Sequence, residues 1–188
     1  SRRYFINHIL EKNAERFFRQ RNAIFIHRTG NQEKTSNNKN DSGVDKMLII
    51  IDQKEDLTDK MFIKHGYETV EARNASLGMG NSLKSGILHS QDSFGWIIGL
   101  ADMPYIGSLV FDLVAQELRQ GSKLVAPSYN GVRGHPVGFG SNLFRELRSL
   151  TESEGAASIF RKYYTEAIQI KTQDKGVLHD VDYPTDII

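Results

Sequence analysis

Five consecutive apolar residues, Met47-Leu48-Ile49-Ile50-Ile51, constrain this chain more than any other feature in it. A strand with one wet face alternates apolar and polar positions. An unbroken run therefore predicts a strand covered on both faces, as in a sheet held between two layers of helices. Leu57 to His65 then has helical spacing and stops at Gly66, which completes a β-α step.

The step repeats. Glu68 to Ala72, Trp96 to Ala101, Lys123 to Ala126 and Ile168 to Thr172 read as strands, and Ala23 to His27 as a short one. Ser82 to Ser90, Ser108 to Gln120 (ended by Gly121), Leu143 to Leu150 and Ala156 to Tyr163 read as helices. Phe5, Ile6, Ile9, Leu10, Phe17 and Phe18 place a further amphipathic helix near the start, and residues 29–42, rich in Asn, Gly, Ser and Lys, predict a mobile surface loop. Strands alternating with helices predict an α/β fold, a mostly parallel, Rossmann-like sheet with helices on both faces, built as one domain over residues 1–188.

Charge and composition exclude several classes. With 24 Lys and Arg against 23 Asp and Glu the net charge is +1, which supplies none of the cationic surface that duplex binding needs, so no nucleic acid is expected as partner. The absence of cysteine removes disulfides, thiolate nucleophiles and Cys-held metals, and fits a cytoplasmic setting. No apolar run reaches the roughly 18 residues of a membrane span, so no membrane partner is expected.

In sheets of this kind ligands bind outside the carboxyl ends of the strands. The predicted strand at Trp96 delivers Ala101-Asp102-Met103-Pro104 there. A lone carboxylate in that place suits Mg²⁺, which takes one or two carboxylates with phosphate oxygens and water; an Asp before a proline turn equally suits a cap. Gly78-Met79-Gly80-Asn81-Ser82 joins a strand to a helix, and its glycines allow a phosphate, ribose or base close to the backbone, although the spacing matches neither the dinucleotide fingerprint nor the P-loop. Arg133-Gly134-His135-Pro136-Val137 follows the strand at Leu124, where it either meets an anionic substrate or supplies a surface charge and a hydrogen-bonded structural histidine. Near the end, Asp180 and Asp182 alternate about Val181 and fall on one side of an extended segment, where Asp182 either adds to a metal shell or caps a turn.

Taken in order, the Gly78 to Gly86 turn, Leu100-Ala101-Asp102-Met103-Pro104, Gly134-His135-Pro136-Val137 and Asp180-Val181-Asp182-Tyr183-Pro184 resemble the MobA-like nucleotidyltransferases, in particular the molybdenum cofactor cytidylyltransferase branch. The resemblance runs from about Phe5 to Ile188. It implies a nucleotide-diphospho-sugar transferase-like sheet that binds a nucleoside triphosphate, CTP in this branch, with Mg²⁺. The nucleoside monophosphate passes to the phosphate of molybdopterin and pyrophosphate leaves. By the same resemblance Asp102 is a metal ligand with Asp182 close to the metal. Gly78, Gly80, Asn81 and Ser82 face the nucleotide, and Arg133, Gly134 and His135 face the acceptor.

The family's first strand leads into a Gly-rich loop whose Arg and Lys cradle the triphosphate, and Ser1 falls where the next helix stands, so the domain is expected to be N-terminally incomplete and its sheet to lack a central member. Ser153 and Ala157 stand where the family usually shows an Asp and an Arg. These departures keep two alternatives in view. One is a catalytically weak nucleotide- or cofactor-binding maturation factor that serves a molybdenum hydroxylase. The other is a related sugar-phosphate nucleotidyltransferase, against which the Gly134-His135-Pro136-Val137 segment speaks.

Overall fold

A computed structural model describes residues 24–29, 46–51, 60, 62–64, 67–73, 75–151, 154–183 and 186. The helix expected near Phe5 to Phe18 and the loop at 29–42, apart from Thr29, lie outside them. The strands are β1 (Ile24–Thr29), β2 (Lys46–Ile51), β3 (Glu68–Glu71), β4 (Gly95–Leu100), β5 (Leu124–Tyr129), β6 (Val132–Arg133), β7 (Val137–Gly140) and β8 (Ile168–Lys171). The helices are α1 (Met79–His89), α2 (Ser108–Arg119), α3 (Phe144–Arg148) and α4 (Ala156–Lys162).

The strands form one sheet in the order β3-β2-β1-β4-β7-β5-β6, with β8 against β5. The pairings run β2 with β3 and β5 with β8 in parallel, and β1 and β7 antiparallel to the strands on either side of them. It follows that β2, β3, β4, β5 and β8 all point one way. The α/β class and the dominant strand direction agree with expectation, but immediate neighbours are more often antiparallel than the alternation of elements implies. The cause at β7 is local. Asn130 and Gly131, at φ 49° and 81°, turn the chain straight back after β5, and a chain that returns through a two-residue turn runs antiparallel.

The expected gap in the sheet is filled. β1 lies between β2 and β4, from Ile24 opposite Ile50 and Leu100 to Arg28 opposite Lys46 and Trp96. Both neighbours thus have their inner edges paired, which removes the exposed edge that a missing member would leave.

Side chains alternate between two cores. Leu48, Ile50, Trp96, Ile98, Leu124 and Ala126 point to one face, where α1 adds Leu83 and Ile87, α3 adds Leu147, and α4 adds Ile159 and Phe160. Ile97 and Val125 point to the other, onto Val114, Ala115 and Leu118 of α2. Helices therefore cover both faces of the central strands, and in β2 Leu48, Ile49, Ile50 and Ile51 are all buried, so the Met47 to Ile51 run needs no polar position. Each large apolar side chain buried in this way contributes about 1.5–3 kcal/mol. Trp96 is fully buried without an unpaired indole, because its Nε1–H donates to the Ser90 carbonyl at 3.2 Å and Ser90 Oγ at 3.0 Å.

Element ends differ where short polar stretches decide them. β5 runs on through Pro127, Ser128 and Tyr129, and α1 begins at Met79 and not at Ser82. Of the helix expected at 57–65, the described residues Lys60 and 62–64 are helical. No helix among the described residues is long and apolar enough to cross a membrane. The common direction of β3, β4, β5 and β8 brings the segments that follow them to one edge of the sheet.

Candidate functional site

Asp102 follows β4, whose residues are buried from Gly95 to Gly99. The turn closes where Met103 N–H donates to the Leu100 carbonyl at 3.3 Å. The carboxylate is half-buried, and its Oδ1 atom is buried without a hydrogen-bond partner. Burial pushes the Asp102 carboxyl above its ordinary value, the charges of Asp180 and Asp182 add to that, and a hydrogen bond from its own backbone opposes it. A desolvated carboxylate facing two others is costly until a cation joins it.

The segment that brings those two acids is tied to Asp102 by its backbone. Val181 N–H donates to the Asp102 carbonyl at 2.7 Å. Val181 is buried, and Asp180 and Asp182 on either side of it are exposed. The amides of Asp182 and Tyr183 both donate to Asp186 Oδ2, at 3.0 and 2.8 Å, and His179 stacks edge-on against Tyr105 at 5.2 Å.

The same segment holds the acceptor-side loop. Its Val177 carbonyl accepts the His135 N–H at 2.9 Å, and Gly134 N–H donates to the Pro127 carbonyl at 2.8 Å. A Cβ on Gly134 would meet the Val177 backbone oxygen and side chain, so glycine alone permits this approach. His135 Nδ1 is buried without a partner. Burial, then the Arg133 charge, hold the His135 imidazole down at about 4, which makes it neutral at pH 7. The Arg133 side chain is exposed on β6 with its guanidinium 4.4 Å from the Phe160 ring centre, so it packs on α4 while its charge reaches His135.

At α1, Gly78 adopts φ 150° and ψ 159°, a conformation open essentially only to glycine, and the helix starts at the next residue. Gly80, Asn81 and Ser82 thus sit in its first turns and not in a loop before it. The N-cap residue is Gly78, which has no side chain to cap the helix, and Ser82 Oγ is buried without a partner. A Cβ on Gly80 would run into the carbonyl oxygens of Thr151 and Glu154, which places the loop between α3 and α4 directly on this turn.

The structure therefore brings Asp102, Asp180 and Asp182 into one electrostatic neighbourhood and links His135 to it through Val177. Gly78 to Ser82 form the N-terminus of α1, where Gly80 and Ser82 are buried. Asp182, read from sequence as a metal residue or a cap, is exposed beside Asp102, with Asp180 as a second charge there. Among the described residues no three His, Asp or Glu side chains enclose a metal by themselves. Asp102 with its orphaned oxygen and an exposed acid fits Mg²⁺, which takes its remaining ligands from phosphate and water. Asp174 and Val177, which connect the loops, went unread in the sequence, although Asp174-Lys175-Gly176 carries a turn signature.

A family model described as the MobA-like NTP transferase domain matches residues 33–168. Among solved structures, the Mycobacterium tuberculosis Rv0371c homologue from Mycobacterium sp. strain JC1 is 23% identical with a TM-score of 0.57, over 69% of this chain and 67% of that one. Rv0371c from Mycobacterium tuberculosis is 20% identical with a TM-score of 0.52, over 64% of this chain and 60% of that one. A complex of Rv0371c with manganese is 18% identical with a TM-score of 0.52, over 68% of this chain and 70% of that one. At these identities the likeness is one of fold. No curated protein matches the chain.

Proposed function

We propose, from the premise that this chain belongs to the MobA-like NTP transferase domain family, that it transfers CMP from CTP to the phosphate of molybdopterin with Mg²⁺. Nucleotidyl transfer itself comes with the family; the base, the acceptor and the metal are the proposal. The carrying observation is Asp102, with a buried carboxylate oxygen that lacks a partner and with Asp180 and Asp182 beside it. The manganese complex of Rv0371c, a protein of similar fold, supports a divalent cation.

In this reaction an acceptor phosphate oxygen forms a bond to the α-phosphorus of CTP, and the bond from that phosphorus to the bridging oxygen breaks, so that pyrophosphate leaves with the electron pair. Mg²⁺ held by Asp102 and Asp182 would neutralise phosphate charge. Positioning does most of the remaining work in phosphoryl chemistry. The first turn of α1 follows a glycine N-cap that brings no capping side chain of its own, which suits a nucleotide phosphate or ribose. The loop at Arg133, Gly134 and His135 takes the acceptor: a neutral imidazole with a buried, unpaired Nδ1 binds a polar group without adding charge.

A second reading, a weakly active cofactor-binding maturation factor for a molybdenum hydroxylase, is favoured by Ala157. That residue is exposed on α4 and offers no cation where the family usually has an Arg. Pyrophosphate release with CTP, GTP or ATP plus molybdopterin decides between them. Turnover with CTP, lost in Asp102→Ala, supports transfer, whereas molybdopterin binding without turnover supports the second reading.

A further inference from the structure

The β4–α2 loop carrying Asp102 and the turn carrying Val177 meet without an intervening side chain. Gly107 begins α2, and Gly176 packs so closely on the Tyr105 backbone carbonyl that a Cβ there would collide with it. One carboxylate joins the two. Asp174 Oδ2 accepts the Gly107 N–H at 2.7 Å, and Oδ1 accepts the Gly176 N–H at 2.8 Å. From this junction one branch runs through Val177 to the His135 amide. The other runs through Val181 to the Asp102 carbonyl.

We propose that Asp174 is a positioning residue: its carboxylate clamps the Asp102 loop against the turn that holds the His135 loop, and so fixes the metal side of the site relative to the acceptor side. This rests on the nucleotidyl-transfer reading given above. Two amides bound to one charged acceptor form stronger hydrogen bonds than neutral pairs do. In-line transfer is sensitive to displacements near 1 Å, so loosening the clamp acts on the chemical step. The α1 turn is not part of this junction, so the chemical step is expected to suffer more than nucleotide affinity.

Asp174→Asn tests this, since an amide presents one acceptor oxygen and an N–H₂ that opposes the other glycine amide. Gly107→Ala is a second route, because its Cβ would lie 2.8 Å from Asp174 Oδ2 and displace it while the backbone angles suit alanine. With CTP, Mg²⁺ and molybdopterin, kcat should fall about 10–100-fold in both variants, by more than KM for CTP rises. Hydrogen exchange should quicken in peptides covering 101–107, 134–136 and 177–182. Unchanged exchange in both variants overturns the clamp. Equal losses in kcat and CTP affinity that follow a fall in Tm overturn the positioning role. If the unaltered chain releases no pyrophosphate, the transfer reading fails, and exchange alone still decides whether Asp174 holds the two loops together.

Discussion

The backbone N–H of Val181 donates to the main-chain carbonyl of Asp102 at 2.7 Å, across a sequence separation that covers the helices α2, α3 and α4 and the strands β5 to β8. This bond sets Asp180 and Asp182 beside the one carboxylate that β4 delivers to the sheet edge. Two exposed carboxylates are thereby placed beside a partly buried one, and that arrangement trades apo stability for cation binding.

Asp102→Asn is expected to raise Tm in the absence of divalent metal and to remove Mg²⁺-dependent CTP binding. The neutral amide is spared the burial cost and the repulsion from Asp180 and Asp182. The loss in affinity should be at least the roughly 10–100-fold that follows removal of even an outer-sphere partner at a metal site. Calorimetry showing unchanged Mg²⁺-dependent CTP binding would sink the assignment.

Mg²⁺ affinity should fade on acidification at a higher pH than an ordinary aspartate predicts. Asp102 protonates above its usual 3.8, and the proton competes with the metal. Linkage gives the matching sign for folding: as pH rises through the window between 3.8 and the raised native value, the unfolded chain releases a proton that the folded chain keeps, so stability falls. Asp180→Asn should move the midpoint of a Mg²⁺ titration to lower pH, because it removes a charge that raises Asp102 without removing a proposed metal ligand. A midpoint unmoved in that variant would show that the Asp180 charge does not reach Asp102.

His135 works in the opposite sense. Its native value is about 4 against 6.5 when unfolded, so the unfolded chain binds the extra proton between them and stability rises with pH across that window. On the order of 3 kcal/mol is present above pH 6.5 and lost as pH falls toward 4. Urea unfolding of His135→Gln should lack this slope. His135→Ala should weaken molybdopterin binding and spare CTP; the reverse result would exchange the roles of the two loops.

Gly134→Ala should cost about 1–3 kcal/mol, the usual penalty for overpacking, because the new methyl meets the Val177 backbone. The His135 amide would also lose its partner at Val177. A urea midpoint within error of the parent would mean that the loop yields freely, and the contact would then carry no information about acceptor placement.

Much of this was legible in the chain. The Met47 to Ile51 run required cover on both faces, and Leu48, Ile49, Ile50 and Ile51 are all buried in the fold, with α1 packed on the Leu48 and Ile50 side. Asp102 could be found because a buried strand ends just before it and periodicity locates that strand. Local signals also fixed α2, from Ser108 to the Gly121 stop. The hairpin at Asn130-Gly131 went unread in the sequence, although its residue types, both tolerant of positive φ, carry the signal.

Tertiary structure decided the rest, because those choices depend on partners distant in sequence. That β1 runs antiparallel between β2 and β4 is set by backbone pairing with both strands, and nothing local to Ile24–Thr29 encodes its direction. The start of α1 at Met79 follows from Gly78 at φ 150°, and Gly80 in its first turn lies under the carbonyls of Thr151 and Glu154, contacts that no local signal in the sequence gives. Asp174 looks like any turn aspartate until Gly107 approaches it, and Asp180 joins the site only because Val181 hydrogen-bonds to Asp102. Sequence carries short-range periodicity and turn chemistry; the meeting of one carboxylate with an amide 67 residues away is a property of the folded chain alone.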